Sequence, residues 1–211
     1  MDAQANLNTY LGKRETTARY TSFDYCFNHF RKYYENGQLS ALTEGPNLEL
    51  SCLHLGFYLA SWGMFRGAAD LLNRSIKHYV PLIDFIAAAK SDIWMIDADR
   101  YTDRAIDDIL GVARQIRATL PGGATDTLVS KIMLGVFGCV PAFDRNFRQG
   151  FDVSTLGPKA LRKIGRFYTE NAETIDSNRV PTLDFETGKY TERMYTRAKV
   201  IDMIFFVEGG S

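Results

Sequence analysis

The sequence is poor in the residues that build metal sites and disulfide frameworks. It has three cysteines and three histidines among 211 residues, and no pair of cysteines has the CxxC spacing of a zinc site. Cys26, Cys52 and Cys139 lie in apolar surroundings and away from the histidines. We therefore expect reduced, buried cysteines in a cytoplasmic protein, and we predict neither a metal nor another cofactor.

Long apolar runs and a net charge are also missing. No apolar run approaches the ~20 residues that cross a bilayer, and the polar start MDAQANLNTYLGKRETT is unlike a signal peptide. Lysine plus arginine and aspartate plus glutamate each number 25, so the formal net charge is zero. We therefore expect no membrane partner and no global attraction to nucleic acid.

The charges are nevertheless unevenly distributed. Six aspartates lie between residues 92 and 108, and six basic residues lie between 145 and 166. The basic residues are Arg145, Arg148, Lys159, Arg162, Lys163 and Arg166. A neutral protein with such a basic face can bind phosphate locally, but two differently charged solvated surfaces explain the pattern equally well.

Apolar residues recur mostly at helical spacing, which predicts an all-α fold. We expect residues 1–211 to form one domain, of which residues 1–20 are a polar lead-in. The helix at 48–61 is apolar on nearly every face and should lie buried at the centre. A helical pattern resumes at Ala68 and should break at Pro81. Only DIWMI (92–96) and TLDFET (182–187) alternate enough for small strands. The predicted helices are about 21–36, 48–61, 105–120, 126–138, 157–173 and 190–207.

The most informative stretch runs from Gly122 to Gly150. A Gly122-Gly123 turn leads into an apolar helix that Thr125 or Asp126 can cap. Pro141 should stop this helix, and Asp144 should open a second, basic helix.

Lys131 is the one lysine on the first of these helices and lies close to its apolar stripe. Such a lysine either snorkels outward or is partly desolvated, and desolvation lowers the pKa of an amine toward nucleophilic values. Capping is the default role of Asp144, while a carboxylate at a helix start beside a cleft can also stabilise charge or accept a proton.

The order Leu120-Pro121-Gly122-Gly123, Ser130-Lys131 and Val140-Pro141-Ala142-Phe143-Asp144 resembles the catalytic segment of helix-hairpin-helix DNA glycosylases of the 8-oxoguanine type. The resemblance covers about residues 120–150 and implies base excision from DNA. It implies that Gly122 and Gly123 bind a DNA phosphate, that Lys131 attacks the sugar C1′ and that Asp144 assists. Seven residues separate Gly123 from Lys131, whereas the family's lysine directly follows its hairpin.

Two other classes of function compete with an enzyme of this kind. One is a non-catalytic helical module that binds nucleic acid or serves as a defence-system accessory. A Lys131 on an open surface would favour this module, whereas a Lys131 in a pocket within a few ångströms of Asp144 would favour the enzyme. A metal-dependent nuclease would use Asp97, Asp99 and Asp103, whose spacing lacks the glycine and glutamate of a calcium loop. Base excision also needs a stacking surface, for which Trp62, Phe65, Trp94 and Phe143 are candidates, although aromatics of a helical domain usually form its core.

Overall fold

Helices dominate the computed structural model, which describes residues 1–66, 70–120 and 122–210. The all-α prediction is confirmed, with one two-stranded antiparallel sheet in the described residues. The α-helices in chain order are α1 Ala3–Leu11, α2 Ser22–Glu35, α3 Pro46–Ser61, α4 Val80–Ala87, α5 Ser91–Met95, α6 Asp103–Thr119, α7 Asp126–Phe137, α8 Arg145–Phe151, α9 Pro158–Glu170, α10 Ala172–Ser177 and α11 Arg197–Glu208. The strands are β1 Pro181–Leu183 and β2 Tyr190–Met194. The expected helix resumption at Ala68, and Pro121, lie outside the described residues.

The N-terminal segment is more than a polar lead-in. Asp2 accepts a hydrogen bond from Ala5 N at 3.0 Å and caps α1. Leu7 and Tyr10 on this helix are buried, and α1 packs along α11 at the other end of the chain. Two apolar residues one turn apart are therefore enough to bring a mostly polar helix into the core.

Helix α3 is buried on one side only, so the expectation that it is enclosed on every face is wrong. Leu55 and Leu59 are fully buried against neighbouring helices. Leu50, Leu53 and Phe57 lie on the opposite face and are 46%, 43% and 68% exposed. A nearly uniform apolar sequence has no preferred face, so the packing of neighbouring elements alone decides which side is covered.

Two local predictions are wrong, and one holds in part. TLDFET begins in strand β1 as predicted, but its later residues lie in the turn after the strand, and DIWMI lies in and just after helix α5. The partner of β1, strand β2, falls in the predicted helix 190–207, which begins instead at Arg197 after the N-cap Thr196. Cross-strand pairing, including a 2.6 Å hydrogen bond between the hydroxyls of Thr182 and Thr191, overrides the local helical pattern.

The two prolines do not act where helix breaks were expected. Pro81 lies in the first turn of α4, where its missing N–H costs nothing, so it starts a helix and does not break one. Helix α7 ends at Phe137, ahead of Pro141, because Gly138 adopts a left-handed conformation with φ of 68°. A Cβ at Gly138 would lie 2.7 Å from both Phe27 and Thr196, so only glycine fits.

The two faces of α3 give a matched pair of substitutions. We expect Leu55→Asp to unfold the protein, because an unpaired buried carboxylate costs several kcal/mol against a stability of about 5–15 kcal/mol. Ala60→Asp on the exposed face, outside the apolar groove residues, should change the free energy of unfolding by less than about 1 kcal/mol. Urea denaturation followed by circular dichroism checks both, and equal losses would contradict the one-sided burial of α3.

Candidate functional site

Helix α7 places Lys131 inside the protein. Thr125 accepts a hydrogen bond from Leu128 N at 3.2 Å and so caps the helix as expected. Every residue from Leu128 to Phe137 is buried, and Lys131 is only 5% exposed. Of the two alternatives for this lysine, the structure therefore shows the desolvated one and not the snorkelling one.

The segment between α7 and α8 is fixed by hydrogen bonds on both sides. Phe143 N donates to the Ser130 hydroxyl at 2.7 Å, and the Thr127 hydroxyl donates to Phe143 O at 2.9 Å. Ala142 N donates to Asp202 Oδ1 at 2.9 Å. These bonds hold the irregular backbone ahead of Asp144 and so set the position of its carboxylate.

Lys131 and Asp144 meet. The Lys131 Nζ lies 3.4 Å from Asp144 Oδ2 and donates to the carbonyl of Trp62 at 2.7 Å. Asp144 Oδ1 accepts from Phe147 N at 3.0 Å, so this aspartate also caps α8 as predicted. One carboxylate oxygen thus serves the helix and the other faces the amine.

A second lysine–aspartate pair, which sequence reasoning missed, lies at the same place. Lys199 Nζ is 2.8 Å from Asp202 Oδ2 and donates to the Tyr10 hydroxyl at 2.9 Å. It also lies 4.8 Å from the ring centroids of Tyr10 and Phe23. The available signal was a Lys-x-x-Asp pair within an otherwise apolar helix, which is costly to bury unless the two charges are paired.

The two lysines have opposite pKa shifts. Burial lowers the pKa of Lys131, although the nearby Asp144 carboxylate opposes this shift. Burial also disfavours the charged form of Lys199, but Asp202 and Tyr10 outweigh it and raise the pKa of Lys199 above its usual value. Of the two amines, Lys131 is therefore the one that more readily reaches the neutral, nucleophilic state.

The two pairs line one small, partly open cavity. Its volume is about 10 Å³, close to the space of a single water molecule. Its walls are Tyr58, Trp62, Lys131, Leu134, Ala142, Asp144, Lys199, Asp202 and Phe206. In this conformation the cavity holds the four charged groups and has no room for a nucleobase.

The glycine turn lies between α6 and α7, at the surface. Gly122 and Gly123 have φ angles of 95° and 83° and are exposed. An ion pair between Arg117 and Asp126 connects the two helices beside the turn. Asp126 also accepts from Leu156 N at 2.8 Å, which joins the start of α7 to the loop ahead of α9.

The six basic residues divide into engaged and free side chains. Arg162 pairs with Asp103 at 2.9 Å, so the acidic stretch contacts the basic helix here. Lys163 donates to Phe151 O at 2.6 Å, and Arg148 to Ser154 O at 3.4 Å. The other three, Arg145, Lys159 and Arg166, are exposed and their side chains have no hydrogen bond or ion pair with any described residue.

A cleft of about 580 Å³ lies between the end of α8 and the start of α9. Arg148, Lys159 and Lys163 line it, together with residues 152–155, of which Asp152 has its carboxylate 3.9 Å from Lys163 Nζ. The first turn of α9 has no side-chain cap, so its N–H groups are available here. Two partly engaged cations and one free cation at a helix start give this cleft an environment that suits an anion.

The aspartates weighed for a nuclease are used within the fold. Asp97 accepts hydrogen bonds from Arg197 N and Ala198 N, both at 2.8 Å, and so caps α11. Asp99 also faces the Arg197 guanidinium, at 3.6 Å, and Asp103 pairs with Arg162. Within residues 1–66, 70–120 and 122–210, no three His, Cys, Asp or Glu side chains are grouped to hold a metal ion.

Of the four aromatic candidates for stacking, two belong to the core. Trp94 and Phe143 are 1% and 0% exposed. Trp62 and Phe65 are only partly buried, and Trp62 borders the cavity of the two ion pairs. The three cysteines are free and buried, as expected.

No protein-family model, curated protein or solved structure matches this chain. The resemblance to DNA glycosylases therefore stays a prediction that rests on residues 120–150. Among the described helices, none combines the length and apolar character needed to cross a bilayer.

The buried pair on α11 should be a major source of stability. Asp202→Ala leaves the Lys199 ammonium and Ala142 N–H without their partner, so we expect a loss of about 3–5 kcal/mol in the free energy of unfolding. Adding Lys199→Met should recover part of that loss, because no unpaired charge then remains buried. Asp103→Ala, which breaks an exposed pair, should cost no more than about 1 kcal/mol. Equal losses in the Asp202 and Asp103 variants would contradict the role assigned to Asp202.

Proposed function

We propose that this chain is a DNA-binding base-excision protein of the DNA glycosylase class, with Lys131 as nucleophile and Asp144 as its acidic partner. The observation that carries the proposal is the 3.4 Å approach of Lys131 Nζ to Asp144 Oδ2 inside the protein. An amine that burial makes easier to deprotonate, held beside a carboxylate, is the arrangement that an activated lysine needs. The exposed Gly122-Gly123 turn at the start of the same helix adds a place for a DNA phosphate.

The chemistry assigns one role to each group. Asp144 accepts a proton from the Lys131 ammonium, and the neutral amine attacks the deoxyribose C1′. The bond from C1′ to the base nitrogen breaks, its electron pair leaves with the base, and the base takes up a proton. The attached nitrogen then loses one proton and its electron pair forms a double bond to C1′ as the C1′–O4′ bond opens. O4′ takes up a proton, and a protonated Schiff base joins Lys131 Nζ to C1′.

The DNA backbone would lie across the surface that begins at the glycine turn. The hydrogen bond from Leu156 to Asp126 places that turn next to the loop bordering the cationic cleft. The free side chain of Lys159 lies at this cleft. Arg145, whose side chain is also free, directly follows Asp144 in the sequence. Phosphate contacts from these groups would position the strand, while the sugar must reach Lys131.

The cavity must widen before a nucleotide reaches Lys131, because about 10 Å³ holds no base. Trp62 and Phe206 are the partly buried walls, and the Trp62 carbonyl is the second partner of the lysine. Displacing the segment around Trp62 would both open the cavity and release Lys131 from one hydrogen bond.

The small cavity also favours a second candidate function. In a non-catalytic nucleic-acid-binding module, the Lys131–Asp144 pair would only neutralise two buried charges and hold the loop ahead of α8. Such a module would bind through its basic surface without changing the DNA. The two functions differ in whether Lys131 becomes covalently attached to DNA.

Borohydride trapping tests the enzyme directly. We expect a covalent adduct with at least one member of a panel of damaged and undamaged oligonucleotides, because borohydride reduces a Schiff base to a stable amine. Lys131→Gln should abolish the adduct, since an amide forms no Schiff base, whereas the exposed control Lys90→Gln, outside the proposed DNA surface, should retain it. Asp144→Asn should slow excision and keep or slightly raise DNA affinity.

The variants must be shown to fold before they are interpreted. Loss of folding in Asp144→Asn would point to its capping role, which usually contributes about 1 kcal/mol. An adduct that persists in Lys131→Gln would reject this lysine as the nucleophile. If both variants fold and no activity on DNA changes, the enzyme proposal is wrong, and DNA binding without an adduct would support the module.

The basic surface has its own prediction. The double variant Arg145→Gln/Lys159→Gln should weaken DNA binding. The slope of log affinity against log salt concentration should become shallower by about one to two units, because fewer counterions are released. Lys32→Gln combined with Lys90→Gln removes the same charge elsewhere and should have a smaller effect. Fluorescence anisotropy over a salt series measures both, and equal slopes in the two double variants would reject this surface.

A further inference from the structure

An apolar groove of about 610 Å³ runs along the exposed face of α3. Leu50, Leu53 and Phe57 form one side of it. Phe185, from the turn between β1 and β2, lies on the other side, is 71% exposed and packs edge-on against Tyr25. Four large apolar side chains thus share one exposed patch, which in soluble proteins marks an interaction surface.

Two hydroxyl groups in the groove already have hydrogen-bond partners within the chain. The Tyr25 hydroxyl donates to Thr16 O at 2.7 Å, and the Ser22 hydroxyl donates to Arg19 O at 2.6 Å. An occupant therefore gains little from hydrogen bonds in the middle of the groove and is held mainly by apolar contact. A helix face with the spacing i, i+3 and i+7, as in Leu50, Leu53 and Phe57, matches such a surface.

The two ends of the groove carry opposite charges. Glu49 lies in the first turn of α3, next to Leu50, and is exposed. Arg19 lies at the other end, where its guanidinium is 5.2 Å from the Trp62 ring just beyond the end of α3. Neither forms an ion pair with a described residue. At 1.5 Å per residue, Glu49 and Trp62 are about 20 Å apart along the helix axis.

We propose that a second copy of this chain occupies the groove, with the two α3 helices antiparallel about a twofold axis. This arrangement places Glu49 of each copy beside Arg19 of the other, so the charge pattern is complementary to itself. The axis passes between Leu53 and Phe57, which brings Leu53 of one copy against Phe57 of the other. The helix dipoles are also antiparallel, which is the favourable orientation.

Sedimentation velocity of the full chain over a concentration series tests the dimer. We expect a reversible monomer–dimer equilibrium, and Phe57→Asp should raise the dimer dissociation constant about thirtyfold or more because it places a charge in the apolar centre. Met95→Asp changes an equally exposed apolar residue outside the groove and should leave the equilibrium unchanged.

A charge exchange tests the orientation. Arg19→Glu and Glu49→Arg should each weaken the dimer, because like charges then meet at both ends, and the double variant should restore it. Circular dichroism keeps loss of fold apart from loss of association. A chain that stays monomeric over the whole concentration series overturns the proposal. Native mass spectrometry that finds the monomer bound to a small molecule or to another protein overturns it too, because the groove then has a different occupant. A dimer that tolerates Phe57→Asp, or a double variant that fails to restore it, overturns it as well.

Discussion

The arrangement of the candidate site depends on one buried carboxylate, that of Asp202. One of its oxygens accepts from Ala142 N and the other pairs with Lys199, which in turn reaches Tyr10 on α1. The two ends of the chain and the loop ahead of α8 are therefore tied to a single group. That loop sets the position of Asp144. The distance between Asp144 and Lys131 therefore depends on Asp202, although Asp202 forms no described hydrogen bond or ion pair with either residue.

Features that depend on neighbouring residues could be predicted from the sequence. The caps Thr125 and Asp144, the helix between them and the all-α class follow from local hydrogen bonding and apolar spacing. Features decided by distant packing could not. The exposed face of α3 and the pairing that turns residues 190–194 into a strand depend on which elements come to lie beside them. The stop at Gly138 does have a local signal, because a glycine after an apolar run often ends a helix in the left-handed conformation.

The candidate site also has one part that could be predicted from the sequence and one part that could not. Lys131 and Asp144 lie 13 residues apart and were predicted together, and the end of α7 with the loop after it brings their charged groups to 3.4 Å. The site role of Lys199 and Asp202 could not be predicted, because a lysine and an aspartate three residues apart on a helix usually form an exposed ion pair. What makes this pair different is its enclosure by Tyr10, Phe23 and the loop at Ala142, which sequence spacing alone does not show.

The enclosure of two lysines in one cavity explains why they are not interchangeable as chemical groups. Lys199 is held as an ammonium by a short contact to Asp202 and by the Tyr10 hydroxyl, so losing its proton would break both interactions. Lys131 has a longer contact to Asp144, whose other oxygen is committed to a helix end, and a hydrogen bond to a neutral carbonyl. Fewer and weaker charge interactions oppose its deprotonation, while the burial that favours it acts on both lysines. Under the proposed function, an incoming electrophile would therefore react at Lys131, and the second pair would serve to keep the loop and its carboxylate in place.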